Sequence, residues 1–396
     1  MDGEKIIDEV IVLPYKGPKS YTGEDVIEIF CHGSMQIASM ILDLCLKNGA
    51  RQAKAGEFTF RAFINGKIDL TEAEAINEII HATSEKTALA VSGNLSGKLK
   101  EKISDFRQRL FSLVTAIEGS IEFPMDVQEL EKNKIISSLS EISLELQKLI
   151  EASKEGLLLR EGVKVSIVGA ANVGKSSLLN QLLENNRAIV TPKAGTTRDI
   201  IEEKIIIDGY PVVLLDTAGI RENKKLDEAE KFGIERSKAA LEKSDIALLV
   251  FDLTQKKDKD TEQIFGLLNG KPRIIVGNKM DLVERTGENC DISISAKYGT
   301  NIDSLKKLIT EKIKSLSQST GDNRRVMFYI NQRHKELLLQ CLSHINFAIE
   351  IAHQSAPEDL IADDLKKAIS RLDEVTGRKI SDEVIQNIFA MFCIGK

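Results

Sequence analysis

No CxxC pair occurs among the five cysteines, Cys31, Cys45, Cys290, Cys341 and Cys393, which lie scattered along 396 residues. That spacing argues against a disulfide framework or a zinc site and leaves reduced thiols. No apolar run approaches the roughly 20 residues that cross a bilayer, and the opening MDGEKIIDEV lacks the basic start and apolar centre of a secretory signal. A cytosolic or organelle-matrix protein without a membrane partner is expected. Nor is there a surplus of positive charge, since 54 Lys and Arg stand against 60 Asp and Glu, a formal net charge of -6. Contact with a polyanion therefore has to use a local patch or a partner's surface. Internal repeats and low-complexity tracts are also missing.

What is present is an ordinary soluble balance, 42% hydrophobic and 29% charged, in a chain long enough for two or three domains. Within 161–317 the runs VKVSIVG, PVVLLD, IALLVFD, RIIVGN and ISIS are short, apolar and β-branched, separated by helix-length amphipathic stretches. Buried parallel strands with crossover helices have this pattern. Asp208-Gly209 inside KIIIDGYPVVLLD reads as a hairpin turn and adds one antiparallel pair. On either side the period is helical: Leu139, Ile142, Leu146, Leu149 and Ile150 before the block, and Leu338, Leu342, Ile345 and Ile349 after it. Helices of 68–160 and 318–396 are expected to pack on each other, with the α/β block inserted between them; two separate helical domains are the alternative that periodicity leaves open. Residues 1–67 are Gly-containing and only partly helical. The stretch GKLKEKISDFRQR offers cations that could meet a nucleic acid, but a charged helix face is more often simply solvated.

GAANVGKSS, Gly169 to Ser177, fits GxxxxGK[ST] directly after a strand and at the start of a helix. In such a loop, backbone N–H groups curl around phosphates, Lys175 reaches the terminal oxygens and the Ser176 hydroxyl ligates Mg²⁺. Val173, Gly174 and Ser177 belong to the same cradle. DTAG (Asp216, Thr217, Ala218, Gly219) follows the next apolar strand, where an Asp holds Mg²⁺ through water and Gly219 offers its N–H to the γ-phosphate. Between them lies TPKAGTTRD, with Thr197 placed to complete the Mg²⁺ shell. NKMD supplies Asn278, Lys279 and Asp281, and SAK supplies Ser295, Ala296 and Lys297. Asp281 can accept from guanine N1–H and N2–H, and the Ala296 amide can donate to O6. A site built on such bonds rejects the wrong base by about 10⁴-fold. Many GTPases carry a Gln after DxxG to orient water, whereas here Ile220 stands in that place. Glu230 is an acidic candidate, although a solvated helix Glu is the plainer reading of it.

SYTGEDVIEIFCHGS, GEFTFRAFINGKIDLTEAEAI, LLREG, AGTTRD and the final FCIGK together resemble the MnmE (TrmE) family of tRNA-modification GTPases. The resemblance covers essentially the whole chain. It implies a P-loop GTPase domain (161–317) inserted into an all-α helical domain (68–160 and 318–396), preceded by a partial α+β folate-binding and dimerising domain (1–67). It further implies GTP hydrolysis with Mg²⁺ and K⁺, a homodimer and a tetrahydrofolate cofactor. With an MnmG-type flavoprotein, such proteins add an aminomethyl or carboxymethylaminomethyl group to C5 of the wobble uridine of tRNA.

By the same resemblance, Asn172 and the backbone oxygens of Thr191, Lys193 and Thr196 hold K⁺, the loop Thr191, Pro192, Lys193, Ala194, Gly195, Thr196, Thr197 wraps the nucleotide, and Glu230 orients water. Folate contacts map to Glu28, Lys67 and Lys396, and Cys393 lies near one-carbon transfer. Phe389 and Phe392 continue a helical stripe from Ile385, and CIGK is expected to leave the helix at Gly395. Family members begin several dozen residues before the position matching Met1, so a shortened folate domain lacking a folate-binding arginine is expected. Two other readings compete: a ribosome-assembly GTPase acting as an RNA-binding switch, and a GTPase remnant that has lost folate chemistry.

Overall fold

The computed structural model of the chain describes residues 6–122, 132–184, 201–216, 238–255, 265–266, 270–283, 290–317, 329–354 and 357–395. Among them the order of elements is β1 (Ile11–Tyr15), β2 (Val26–Phe30), α1 (Met35–Lys47), α2 (Glu57–Ile64), α3 (Leu70–Ile80), α4 (Glu85–Leu95), α5 (Lys98–Glu122) and α6 (Lys132–Glu161). There follow β3 (Val163–Val168), α7 (Lys175–Leu183), β4 (Ile201–Ile207), β5 (Tyr210–Asp216), β6 (Ile246–Asp252), β7 (Arg273–Asn278) and β8 (Ile292–Ser293). The chain closes with α8 (Ile302–Ser317), α9 (Gln332–His353), α10 (Glu358–Thr376) and α11 (Asp382–Ala390). No described helix is long and apolar enough to cross a membrane.

Two compact units form: Met1–His81 with Val91–Gln147 and Gln332–Lys396, and Ala82–Ala90 with Lys148–Asn331. In the first, β1 and β2 make an antiparallel pair with Ile11 opposite Phe30. Helix α3 starts at a capping box, in which Asp69 accepts from the Glu72 amide at 2.9 Å while Glu72 accepts from the Asp69 amide at 2.7 Å. Leu99, Ile103, Phe106, Leu110, Val114 and Ile117 recur every three or four residues along α5 and are all buried, a single apolar face. Helix α10 packs against α5, α9 and α3. Fully burying each such aliphatic side chain contributes about 1.5–3 kcal/mol.

Polar ties then fix the register of the helices. Arg107 Nε donates to Asp373 at 2.6 Å, and Ser143 donates to Asn346 at 2.8 Å. The basic stretch of α5 serves the same end: Lys100 pairs with Glu72 at 3.1 Å, and Lys102 and Arg109 pair with Glu145 at 2.6 and 2.8 Å. These three cations join helices.

One joint in this unit is deeply buried. Glu74 accepts from Arg333 Nε at 2.9 Å and Nη2 at 2.8 Å, and shares a 2.6 Å hydrogen bond with His334 Nε2. Arg333 also donates to the last carbonyls of α10, Glu374 at 2.9 Å and Val375 at 3.0 Å. Burial opposes ionisation of Glu74, but His334 and Arg333 more than offset it and hold the carboxyl far below the usual range.

The end of the chain packs on its beginning. Ile385, Ile388, Phe389 and Phe392 share a core with Leu70 and Ala73, and the Phe389 ring meets Phe60 edge-on at 5.3 Å. Gly56, at φ +66, lies so close that an added Cβ would stand 2.8 Å from the Phe389 carbonyl. The helix ends at Ala390, earlier than the Gly395 exit expected from the sequence. Ile394 bridges Ala55 in antiparallel fashion instead, and the Gly56 amide donates to the Cys393 carbonyl at 3.3 Å. Pairing with a neighbouring segment replaces the last helical turn.

The second unit holds a six-stranded sheet in the order β4-β5-β3-β6-β7-β8. Strands β4 and β5 are antiparallel across the Asp208-Gly209 turn, while β5, β3, β6, β7 and β8 are mutually parallel. Every residue of β6 is buried, as a strand covered on both faces requires. Residues 82–90 dock onto this unit: Thr87 donates to the Leu159 carbonyl at 3.0 Å, and Lys86 lies 3.9 Å over the Tyr210 ring.

Candidate nucleotide-binding site

The parallel strands point their C-termini to one edge, where open α/β sheets bind ligands. β3 delivers the chain into Gly169, and α7 begins at Lys175 with Gly174 as its N-cap. No side chain caps this helix start, so its first amides face outward as donors for an anion. Gly174, at φ +96, is obligatory, because a Cβ there would lie 2.2 Å from Asn278 Nδ2. Asn172 also has positive φ, +60. Lys175 Nζ donates to the Gly169 and Ala170 carbonyls at 2.9 and 2.6 Å, which folds the cation over the loop where phosphate oxygens are expected. Ser176 and Ser177 are exposed on the first turn of α7.

Asn278 ties three motifs together. Its Nδ2 donates to the Val173 carbonyl at 2.8 Å, and its Oδ1 accepts from the Ala296 amide at 2.9 Å. The P-loop, NKMD and SAK segments are thus linked through one buried side chain. Asp281 accepts from Ser295 Oγ at 2.6 Å, leaving its other oxygen for a ligand, and the Met280 amide donates to the Ile294 carbonyl at 3.1 Å. Lys297 Nζ stands 5.0 Å from the Tyr298 ring centre. Asp216 ends β5 in register with Ile167 of the P-loop strand, which brings its backbone beside the phosphate loop. The cradle, its uncapped helix start and a carboxylate held by one hydroxyl suit a purine nucleotide with a phosphate chain.

Thr191, Pro192, Lys193, Ala194, Gly195, Thr196, Thr197, Thr217, Ala218, Gly219, Glu230 and Lys396 lie outside the described residues. Asp252, passed over in the sequence, is brought to the site: its carboxylate meets Lys279 Nζ at 2.6 Å. A lone Asp at a strand end between motifs carries no distinctive local signal.

Of the expected folate residues, Glu28 and Lys67 belong to the first unit. Glu28 sits in β2 opposite Leu13, and Lys67 Nζ donates to the Pro18 carbonyl at 2.9 Å. The Lys67 side chain is exposed. Cys393 is exposed. Among the described residues no hydrogen bond joins Glu28, Lys67 and Cys393 to one another.

Comparison with known proteins extends the picture beyond this edge of the sheet. The family described as the MnmE helical domain matches residues 70–393, and that described as the GTP-binding protein TrmE N-terminus matches residues 1–67. The tRNA modification GTPase MnmE of Acetivibrio thermocellus is 39% identical over 402 residues, covering 99% of this chain and 86% of that protein. Its namesake in Thermoanaerobacter pseudethanolicus is 41% identical over 401 residues, with the same two coverages. That of Thermosipho melanesiensis is 42% identical over 393 residues, covering 99% of this chain and 88% of its own. Since the likeness runs through the segments flanking the nucleotide fold as well as through the fold itself, the chain belongs to the MnmE (TrmE) family of tRNA modification GTPases.

Proposed function

We propose that this GTPase works in a K⁺-stimulated cycle coupled to modification of the wobble uridine of tRNA, together with an MnmG-type flavoprotein and as a homodimer. The observation that best supports a guanine nucleotide site is the Asn278 side chain, which joins the P-loop to the segment following β8. In this reading Lys175 and the amides from Asn172 to Ser177 hold the phosphates, and Asp281 with the Ala296 amide reads guanine. Ser176 and Thr197 hold Mg²⁺, which neutralises charge on the phosphate oxygens. Asn172 and the backbone of Thr191, Lys193 and Thr196 hold K⁺, which supplies positive charge beside the phosphates. Glu230 orients the attacking water in place of the missing Gln. Glu28, Lys67 and Lys396 bind a tetrahydrofolate, the source of the one-carbon unit, with Cys393 near that transfer; the contact of residues 393–394 with 55–56 supports a tail that belongs to the N-terminal segment.

The test is reconstitution of the chain with an MnmG-type flavoprotein and NADH to reduce its flavin, GTP, Mg²⁺, K⁺, a methylene-tetrahydrofolate as carbon source, ammonium or glycine as nitrogen source and unmodified tRNA, followed by nucleoside analysis. Aminomethyl or carboxymethylaminomethyl uridine at the wobble position is expected. GTP hydrolysis beside unchanged uridine would overturn the modification reading and leave the GTPase intact.

A further inference from the structure

We propose that Asp252, outside the nucleotide motifs, is a positioning residue for guanine recognition: it anchors Lys279 and so holds the turn that carries Asp281. This rests on the guanine-site reading given above.

Asp252 is the last residue of β6 and lies in register with Asn278, the last of β7. Its neighbour Leu253 donates its amide to the Asn278 carbonyl at 3.0 Å, so the backbones of the two strand ends are already locked. The side chain of Asp252 is only 4% exposed, and both its oxygens are engaged. Oδ1 accepts from the Thr254 amide at 2.9 Å and from Thr254 Oγ1 at 2.7 Å, while Oδ2 takes Lys279 Nζ at 2.6 Å. Thr254 therefore sets the orientation of the carboxylate, and the carboxylate sets the position of the lysine. Burial works against the charge on Asp252, but Lys279 and Thr254 outweigh it and keep the carboxyl below its usual range.

Lys279 needs such an anchor. Its backbone is left-handed, φ +64 and ψ +36, and it opens the 3-10 turn Met280–Leu282 without a side-chain cap. A residue with a Cβ adopts that conformation only when its surroundings over-determine it. On one side the Met280 amide is held by the Ile294 carbonyl, and on the other the Lys279 ammonium is held by Asp252. Release of the second hold lets Lys279 relax and turns Asp281 away from Ser295, its partner at 2.6 Å. A charge-assisted bond to a buried acceptor is strong enough to matter here.

The experiment titrates GDP and IDP, which lacks the 2-amino group that Asp281 reads, against the full chain and against Asp252→Asn, Lys279→Met and the double variant. Asp252→Asn is expected to weaken GDP by about tenfold, in line with loss of a hydrogen bond to a charged group, and IDP by much less, so that the GDP preference shrinks. The double variant should lose no more than Lys279→Met alone. Equal loss of GDP and IDP, multiplied losses in the double variant, or an unchanged preference would each overturn the proposal. If Asp252→Asn does not fold, Thr254→Val removes the Oγ1 hydrogen bond while keeping that of the amide, loosens the carboxylate and should shrink the preference in the same direction by a smaller factor; an unchanged preference there overturns it too. A wild-type chain without preference for GDP over IDP would overturn the guanine reading itself.

Discussion

The edge of the sheet around Asn278 and the joint around Glu74 both bring distant residues together, yet they are built differently. At Asn278 a neutral side chain meets backbone groups of two loops, and the geometry comes from strands that end side by side. At Glu74 a carboxylate meets two cationic-type side chains from the start of α9, and Arg333 reaches on to the carbonyls that end α10. The first arrangement leaves donors and acceptors free to meet a ligand. The second uses its capacity on itself, as a buried ion pair must. Recognition and rigidity are thus assigned to separate places, and substitutions should separate them.

The largest effect is expected at the recognising edge. Asp281→Asn should exchange guanine for xanthine preference, a swing of about 10⁴ in relative affinity, measured by titrating GDP and XDP. Unchanged GDP binding would remove Asp281 from base reading. Next comes the joint. Glu74→Ala leaves the half-buried Arg333 and the buried His334 without their carboxylate and should cost about 3 kcal/mol, the low end for a broken buried pair, read as a lower urea midpoint, with GDP affinity of the remaining folded protein unaltered. A parallel loss of nucleotide affinity would break the separation just drawn.

A smaller effect is expected at Asn172. Hydrolysis should run about tenfold or more faster in K⁺ than in Na⁺ at equal ionic strength, in keeping with electrostatic stabilisation of developing charge, and Asn172→Ala should abolish the difference. Equal rates in the two salts would sink the K⁺ assignment. The smallest effect concerns acid. Glu74 titrates below its ordinary value of 4.5 in the folded chain, so the folded state binds fewer protons than the unfolded state there. Its stabilisation is complete above pH 4.5 and fades as pH falls toward the folded value. Urea midpoints at several pH values below 5 should fall less steeply in Glu74→Gln than in the wild type.

How far the sequence reveals these regions follows from the same contrast. The strands of the second unit are legible because burial on both faces demands continuous apolar runs such as IALLVFD, and the P-loop is legible because its glycines and Lys175 are local in sequence. The link from Asn278 to Val173 is not, although both residues sit in recognisable motifs, because a pairing across 105 positions leaves no periodic trace. Glu74 and Arg333 are 259 positions apart and look like ordinary surface charges on amphipathic helices. The continuous helices α4 and α6 run through the limits of the two compact units, and helical periodicity has no reason to change there. The early end of α11 at Ala390 was hidden for a similar reason: pairing of Ile394 with Ala55 overrides the helical stripe.

That last contact also bears on how the chain is made. Phe60, Phe63 and Leu70 are synthesised early, yet Ile385, Phe389 and Phe392, which close their core, are among the last residues of this sequence to leave the ribosome. At about 5–20 residues per second, the early segment waits on the order of tens of seconds with its aromatic face open. A nascent chain that stalls before Ile385 therefore presents that face to chaperones and to other nascent chains.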